Sequence, residues 1–412
     1  MAILGIASGI PIQGLGRVFI GELLLMVIAP AIVLLLLGLN DAYGKMAKTL
    51  LVAIVISWVG YLISDIVRGT PSGDYLRGWS RWIAMGSSFA SLAWICSKNI
   101  GLMASFLVGL SIGSCITPFI VFGSVGIIPF WKFYASIPIC ILALILTCSF
   151  RPIVSILALG GLAMVSLALD TRSVALLCVI TAVVTWLSAR RTVKGRLPTS
   201  KISKGSIIAT GIVVIILMVV AAFAIQRIGE RYGYAERFQR SDDTRLINAK
   251  ITWMAISKSP FIGYGSWPRD PEIARERDKL VAKAKGMPTF RMASQDHLII
   301  SHSQILQGWL EGGLLGLTFF VTLGWQLGKQ LLWQTFRSPH NALTSIIVFI
   351  QLHCAWHLVF SPFSGAQRVY IPAACVFICY LAQQVGQIEA VRRAIAAESY
   401  RRTSWGGGMA TP

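Results

Sequence analysis

"FIGELLLMVIAPAIVLLLLGLN", Phe19 to Asn40, decides the fold class. It is almost wholly apolar and has the length of about 20 residues that a helix needs to cross about 30 Å of hydrocarbon. Runs of the same kind recur near 48–67, 82–97, 99–122, 130–149, 152–169, 172–188, 205–226, 302–327, 341–360 and 368–384. In lipid only helices or closed barrels satisfy every backbone N–H and C=O. Barrel strands would be shorter and would alternate apolar with polar, which these runs do not. The expected fold is therefore all-α, a polytopic membrane protein of 11–12 transmembrane helices. The opening "MAILGIASGIPIQGLG" is apolar but short and broken by glycine and proline, so it reads as a re-entrant piece or a short twelfth span.

Composition agrees. Of 412 residues, 55% are hydrophobic and 13% charged, with mean hydropathy +0.69. Soluble domains carry about 25% charged residues. The net charge of +20 does not point to nucleic acid, because the bases cluster in short loops and in the tail, where they set topology. The eight cysteines lie inside or at the edges of apolar runs, a packing distribution with no disulfide framework or zinc spacing. No cleaved signal peptide is read at the N-terminus.

Orientation rests on "ARRTVKGRLPTSKISK" (Ala189–Lys204), with six bases and no acid. The positive-inside rule places it in the cytoplasm. Counting spans outward from it puts Asp170–Arg172, residues 227–301 and Ser361–Arg368 on the outer face. Arg68–Arg81 falls outside too, despite its three arginines. Four regions result: spans within 1–226, a large helical outer loop over 227–301, spans within 302–384, and a basic cytoplasmic tail over 385–412. The loop holds nine of the seventeen acids. Within it, "DDTRLINAKITWMAISKSPFIGYGS" predicts a helix over 243–258, capped by Asp242, Asp243 or Thr244 and ended at Ser259-Pro260. "DPEIARERDKLVAKAKG" predicts a second helix capped near Asp270.

Few residues among these spans carry chemistry. Arg172 opens a span in "LALDTRSVALL". An arginine there either anchors at the interface, paired with Asp170, or offers a fixed cation to a phosphate, whose oxygens suit a guanidinium. Arg245, in the first turn of the expected helix, is disfavoured by the helix dipole. Asp242 or Asp243 would hold it, or it would address an anion docked at the helix start with the free N–H groups there and those of "GYGS". In "SHSQILQGWLEGGLLGL" (Ser301–Leu317), His302 stands where the chain re-enters the membrane. It is either a hydrogen-bonded interfacial residue or a general base, since a neutral imidazole can accept a hydroxyl proton. Ser303 and Gln304 would orient it or a substrate. Glu311, within the span, needs a partner or water and braces the site from behind. His353 and His357 share a helical face, but no third ligand is suggested, so polar packing outweighs a metal pair. The adjacent Asp242 and Asp243 also raise a metal-dependent glycosyltransferase, against which capping is the simpler account.

Taken in order, the arginine of "DTRSVALL", the basic inner loop, "TRLINAKITWMAISKSPFIGYGS" and "HSQILQGWLEGGLLGL" resemble the O-antigen ligase family, within the wider O-antigen ligase and polymerase superfamily. The resemblance covers roughly residues 150–320. It implies an inner-membrane enzyme with a periplasmic loop that moves a glycan from undecaprenyl diphosphate to an acceptor, in the ligase case lipid A–core oligosaccharide. The family's essential arginines correspond to Arg172 and Arg245, and its histidine to His302. Departures are Thr171, where many members have serine, and Ser303, where asparagine often follows the histidine. The implied chemistry is metal-independent and needs no cofactor. Two guanidiniums hold the diphosphate and His302 is the base, with Asp170, Gln304 and Glu311 in support. Three other readings stand beside it: an O-antigen polymerase, a pilin or protein glycosyl ligase, and, in another class, a lipid-linked glycan flippase. The flippase lacks an internal repeat or matched broken spans.

Overall fold

In the computed structural model, residues 1–12, 18–193, 235–285, 297–338, 340–363, 365 and 367–406 are described. They form thirteen helices and one two-residue strand pair, Pro11–Ile12 with Val18–Phe19. The short helix α1 (Ala2–Gly9) precedes that hairpin. Then come α2 (Ile20–Leu37), α3 (Ala42–Arg68), α4 (Ser72–Cys96), α5 (Gly101–Phe122) and α6 (Ile127–Thr147), the last with a π turn at Trp131–Ala135. Next are α7 (Pro152–Ala168) and α8 (Arg172–Val193). The hydrophilic segment supplies α9 (Ala235–Lys258) and α10 (Pro271–Lys285). The chain closes with α11 (Gln304–Phe336), α12 (Thr344–Phe360) and α13 (Gln367–Gly406). The protein is an all-α, multi-pass membrane protein. Seven of these helices are long and apolar enough to cross a bilayer, and α7 and α12 are shorter apolar helices.

Most expected spans coincide with a helix, and the differences are informative. The span at 205–226 lies outside the described residues. The one at 82–97 is the second half of a longer helix that begins at Ser72, so most of the expected outer stretch Arg68–Arg81 is helical. The boundary placed at 384 falls inside α13, which continues unbroken through Gly406. Helix α1 has eight residues, about 12 Å at 1.5 Å per residue, which suits the re-entrant reading and is too short to span. It lies backbone to backbone on α5: a Cβ on Gly109 would come within 1.8 Å of the Ala2 carbonyl oxygen, and one on Gly5 within 2.1 Å of that of Phe106. Small residues permit such close approach. All eight cysteines are free thiols.

Two buried ion pairs tie the bundle across long sequence separations. The Arg368 guanidinium donates to Glu22 through Nε (2.8 Å) and Nη2 (3.0 Å), joining the starts of α13 and α2. Arg81 of α4 pairs with Glu311 of α11 at 2.6 Å. Each pairing satisfies two charges that neither lipid nor core would tolerate alone. At the opposite end, Thr185 Oγ1 of α8 donates to Ser345 Oγ of α12, and the Arg191 guanidinium sits 5.7 Å from the Phe336 ring at the end of α11. The ends of α8 and α11 therefore lie together.

Helix α11 is broken within. Gly313 has φ 61° and ψ −155°, a backbone region that is essentially glycine-only. The break frees carbonyls, and the segment after α9 fills it. Tyr264 N–H donates to Leu310 O (2.8 Å), Gly265 N–H to Glu311 O (3.0 Å), and Leu314 N–H to Phe261 O (3.1 Å). A Cβ on Gly313 would sit 2.1 Å from Phe261 O. Gly313→Ala is expected to destabilise the protein by more than the roughly 1–3 kcal/mol of backbone strain alone. A lowered thermal midpoint in detergent, with Gly324→Ala as control, checks this.

Candidate active site

The nine residues before the break, Gln304–Gly312, form a short arm that carries His302 at its head. Ser303 is its N-cap, accepting from Leu306 N–H (3.4 Å) while its hydroxyl donates to Leu358 O (3.0 Å) at the end of α12. The serine next to His302 is thus engaged in capping and in anchoring the arm, and does not orient the imidazole. Gln304 is completely buried, and neither of its amide atoms has a hydrogen-bond partner among the described residues. The bond from Gln304 to His302 that the sequence suggested is not present.

Helix α9 packs its Ile251, Ala255 and Ile256 against Leu310 of the arm, with Ile273 of α10 and Ile299 completing the cluster. Trp309 adds an edge contact to Trp253 (5.7 Å) and an indole N–H bond to Pro260 O (2.8 Å). Arg245, also on α9, lies within electrostatic reach of His302. The imidazole is half-buried, and its pKa is lowered from the ordinary value, first by burial and then by the positive charge of Arg245. Both effects disfavour imidazolium.

Two expectations about the loop fail. Helix α9 starts at Ala235, not near residue 243, so Asp242, Asp243 and Thr244 are helix-interior residues rather than caps. Arg245 is accordingly three turns into the helix, and no N-terminal N–H groups accompany it. The amides of "GYGS" are not free for an anion either. They serve the break in α11, and Ser266 N–H and Gly265 N–H donate to Asp65 Oδ1 (2.5 Å) and Ser64 Oγ (2.8 Å). The motif is a structural plug. Ser259 and Pro260 do end α9, and Asp270 Oδ1 caps α10 by accepting from Glu272 and Ile273 N–H (2.9 and 3.1 Å).

Arg172 is the first residue of α8, partly buried. Asp170, in the left-handed region at φ 56°, accepts from Lys132 Nζ at 3.0 Å, a partner on α6 that the sequence did not suggest. Glu311 is held by partners that the sequence did not suggest. It receives Arg81 Nη2 on Oε2 (2.6 Å) and Gln307 Nε2 on Oε1 (2.9 Å). Arg68 was missed likewise. It donates to Gly263 O (2.8 Å) and Ser259 Oγ (2.5 Å), holding the plug. The available signal was the group of three arginines placed on the outer side against the positive-inside trend. His353 and His357 stack edge to face with ring centroids 4.4 Å apart, beside Tyr370 at 5.0 Å. Among the described residues no three His, Cys, Asp or Glu side chains gather as metal ligands.

With that geometry in hand, residues 135–321 match the family model described as O-antigen ligase. This segment, just under half of the chain, is similar to the O-antigen ligase family. The matched segment includes Asp170, Arg172, Arg245, His302, Gln304 and Glu311, and leaves Arg81 and Arg368 outside it. No curated protein sequence matches the chain. The matched family points in general to a membrane-embedded, glycosyltransferase-like enzyme that acts on a lipid-linked glycan and a lipid acceptor.

Proposed function

We propose that this protein transfers O-antigen glycan from undecaprenyl diphosphate to a hydroxyl of lipid A–core oligosaccharide, on the periplasmic face of the bacterial inner membrane. The observation that carries the reading is His302 at the head of the arm, its pKa lowered by burial and by the charge of Arg245, inside the family-matched segment. The acceptor hydroxyl oxygen attacks the anomeric carbon of the first glycan sugar as the bond from that carbon to the diphosphate oxygen breaks. His302 takes the hydroxyl proton, and undecaprenyl diphosphate leaves. The attack comes from the face opposite the leaving group and inverts the anomeric configuration. The leaving group is already good, so the chief need is to stabilise charge growing on the diphosphate, which Arg172 and Arg245 would supply. No metal is required, because two guanidiniums carry the positive charge. A cavity of about 180 Å³ between α2, α3 and α4, lined by Val33, Leu51, Ile54, Trp58, Trp82 and Ile83, is apolar enough to receive part of a polyprenyl chain.

The test is transfer by the purified protein in detergent, from defined lipid-linked donor to defined acceptor. Product with lipid A–core as acceptor supports the reading, and binding of donor without transfer favours a flippase. Deletion of the gene separates the relatives within the superfamily. Loss of all capped lipopolysaccharide with polymer-length donor accumulating marks a ligase. Single-repeat capping marks a polymerase, and intact lipopolysaccharide marks a protein glycosyl ligase.

The same reading fixes a pH dependence. A general base works only when unprotonated, so kcat/KM falls as pH drops through the pKa of His302 in the free enzyme. Burial and Arg245 both lower that pKa, so the acid limb should lie below the ordinary histidine value of about 6.5. Arg245→Gln removes one of the two causes and should move the limb to higher pH while lowering the plateau. An unmoved limb would separate His302 from the titration.

A further inference from the structure

Arg81 lies outside the family-matched segment and was expected in a loop, yet its side chain is only 8% exposed and sits at the junction of four elements. Its Nη2 holds Glu311 Oε2, Glu311 Oε1 holds Gln307 Nε2, and Gln307 Oε1 accepts from Phe363 N–H at 2.8 Å. This relay runs from α4 through the arm to the turn after α12. The guanidinium is flanked by the Trp267 ring at 5.5 Å and the Phe363 ring at 5.9 Å. Trp267 is itself held in the left-handed region at φ 56°.

The relay matters because of what the arm lacks. Gly313 interrupts the helix, and Leu314 N–H bonds to Phe261 rather than to the arm. Helix continuity therefore does not fix the direction of Gln304–Gly312. It is set by lateral bonds, and among the described residues Arg81–Glu311 is the only ion pair between the arm and the rest of the bundle. A segment hinged at one end and carrying a reactive group at the other transmits small changes at the hinge to that group.

We infer that Arg81 is a positioning residue for the transfer reaction: through its buried ion pair with Glu311 it aims the arm that carries His302. The inference rests on the function proposed above. It assigns Arg81 no contact with substrate, since the guanidinium is enclosed by Glu311, Trp267 and Phe363.

The experiment uses the full-length protein in detergent and compares Arg81→Gln, Glu311→Gln and the double variant. Each single change leaves a buried charge or donor without its partner. The double variant restores a neutral amide–amide hydrogen bond. Misplacing a reacting group by about 1 Å costs about a hundredfold in rate. Each single variant should therefore lose on the order of a hundredfold in kcat with the donor KM within about twofold, and the double variant should regain most of the loss. Spin labels on Lys250→Cys of α9 and His302→Cys report the arm directly. Their separation should be narrowly distributed in the parent, broad in Arg81→Gln, and narrow again in the double variant. An unchanged kcat in Arg81→Gln would overturn the inference. So would a raised donor KM at constant kcat, which marks direct substrate binding, or label distances indifferent to the substitutions. Should the parent protein transfer no glycan, the proposed function fails, whereas the label distances still decide whether Arg81 aims the arm.

Discussion

His302→Ala should reduce glycan transfer by about 10²–10⁴-fold, the range that a positioned general base contributes, while leaving the protein folded. The substitution is structurally mild. His302 precedes the arm's N-cap, and the bonds that hold the arm belong to Ser303, Gln307, Trp309 and Glu311. The imidazole is only half-buried, and truncating it opens no sealed core. Expression and thermal midpoint should therefore match the parent, with the loss confined to kcat because the base acts in the transition state. In vitro transfer with saturating donor and acceptor measures it. Near-normal turnover would remove His302 as the base.

The second large effect concerns the two arginines. Arg172→Ala and Arg245→Ala should each lower kcat by about a hundredfold to a thousandfold, as does removal of a single preorganised donor to developing negative charge. Lysine should rescue either one poorly, because an ammonium cannot make the paired, planar contacts of a guanidinium with phosphate oxygens. The two positions differ in a useful way. Arg245 also bears on the titration of His302, so Arg245→Lys keeps the charge and should leave the acid limb low while activity falls. Arg172, on α8, has no such effect on the imidazole among the causes of its shift. Steady-state kinetics across pH distinguish the two roles, and full rescue of both by lysine would argue against bidentate phosphate binding.

How much of this was legible beforehand depends on the range of the interaction. Helices α2, α3, α5 and α6 lie where the apolar runs put them, because in lipid a segment must satisfy its own backbone. The start of α9 was misplaced by local reasoning. Asp242, Asp243 and Thr244 are good capping residues, but the helix runs through them from Ala235. "GYGS" has the glycine content of an anion-binding turn, and its φ values of 84° at Gly263 and 81° at Gly265 are those of a turn. The amides of Tyr264, Gly265 and Ser266 nevertheless go to α3 and α11.

The order of arginine, arginine and histidine, and the bundle of apolar helices, were determined by the amino-acid sequence alone. Each follows from properties carried within a few turns of chain: hydropathy over a span, and the identity of a charged residue at its edge. Only the tertiary structure decided that the charge of Arg245, in the middle of α9, bears on His302, that α11 breaks at Gly313 and is plugged from the loop, and that Arg81 meets Glu311. Those pairings join residues far apart in sequence, 230 positions in the case of Arg81 and Glu311. Hydrophobic periodicity reports which face of a helix is buried and does not name its partner. The partner is selected when helices pack and every buried charge must find its opposite.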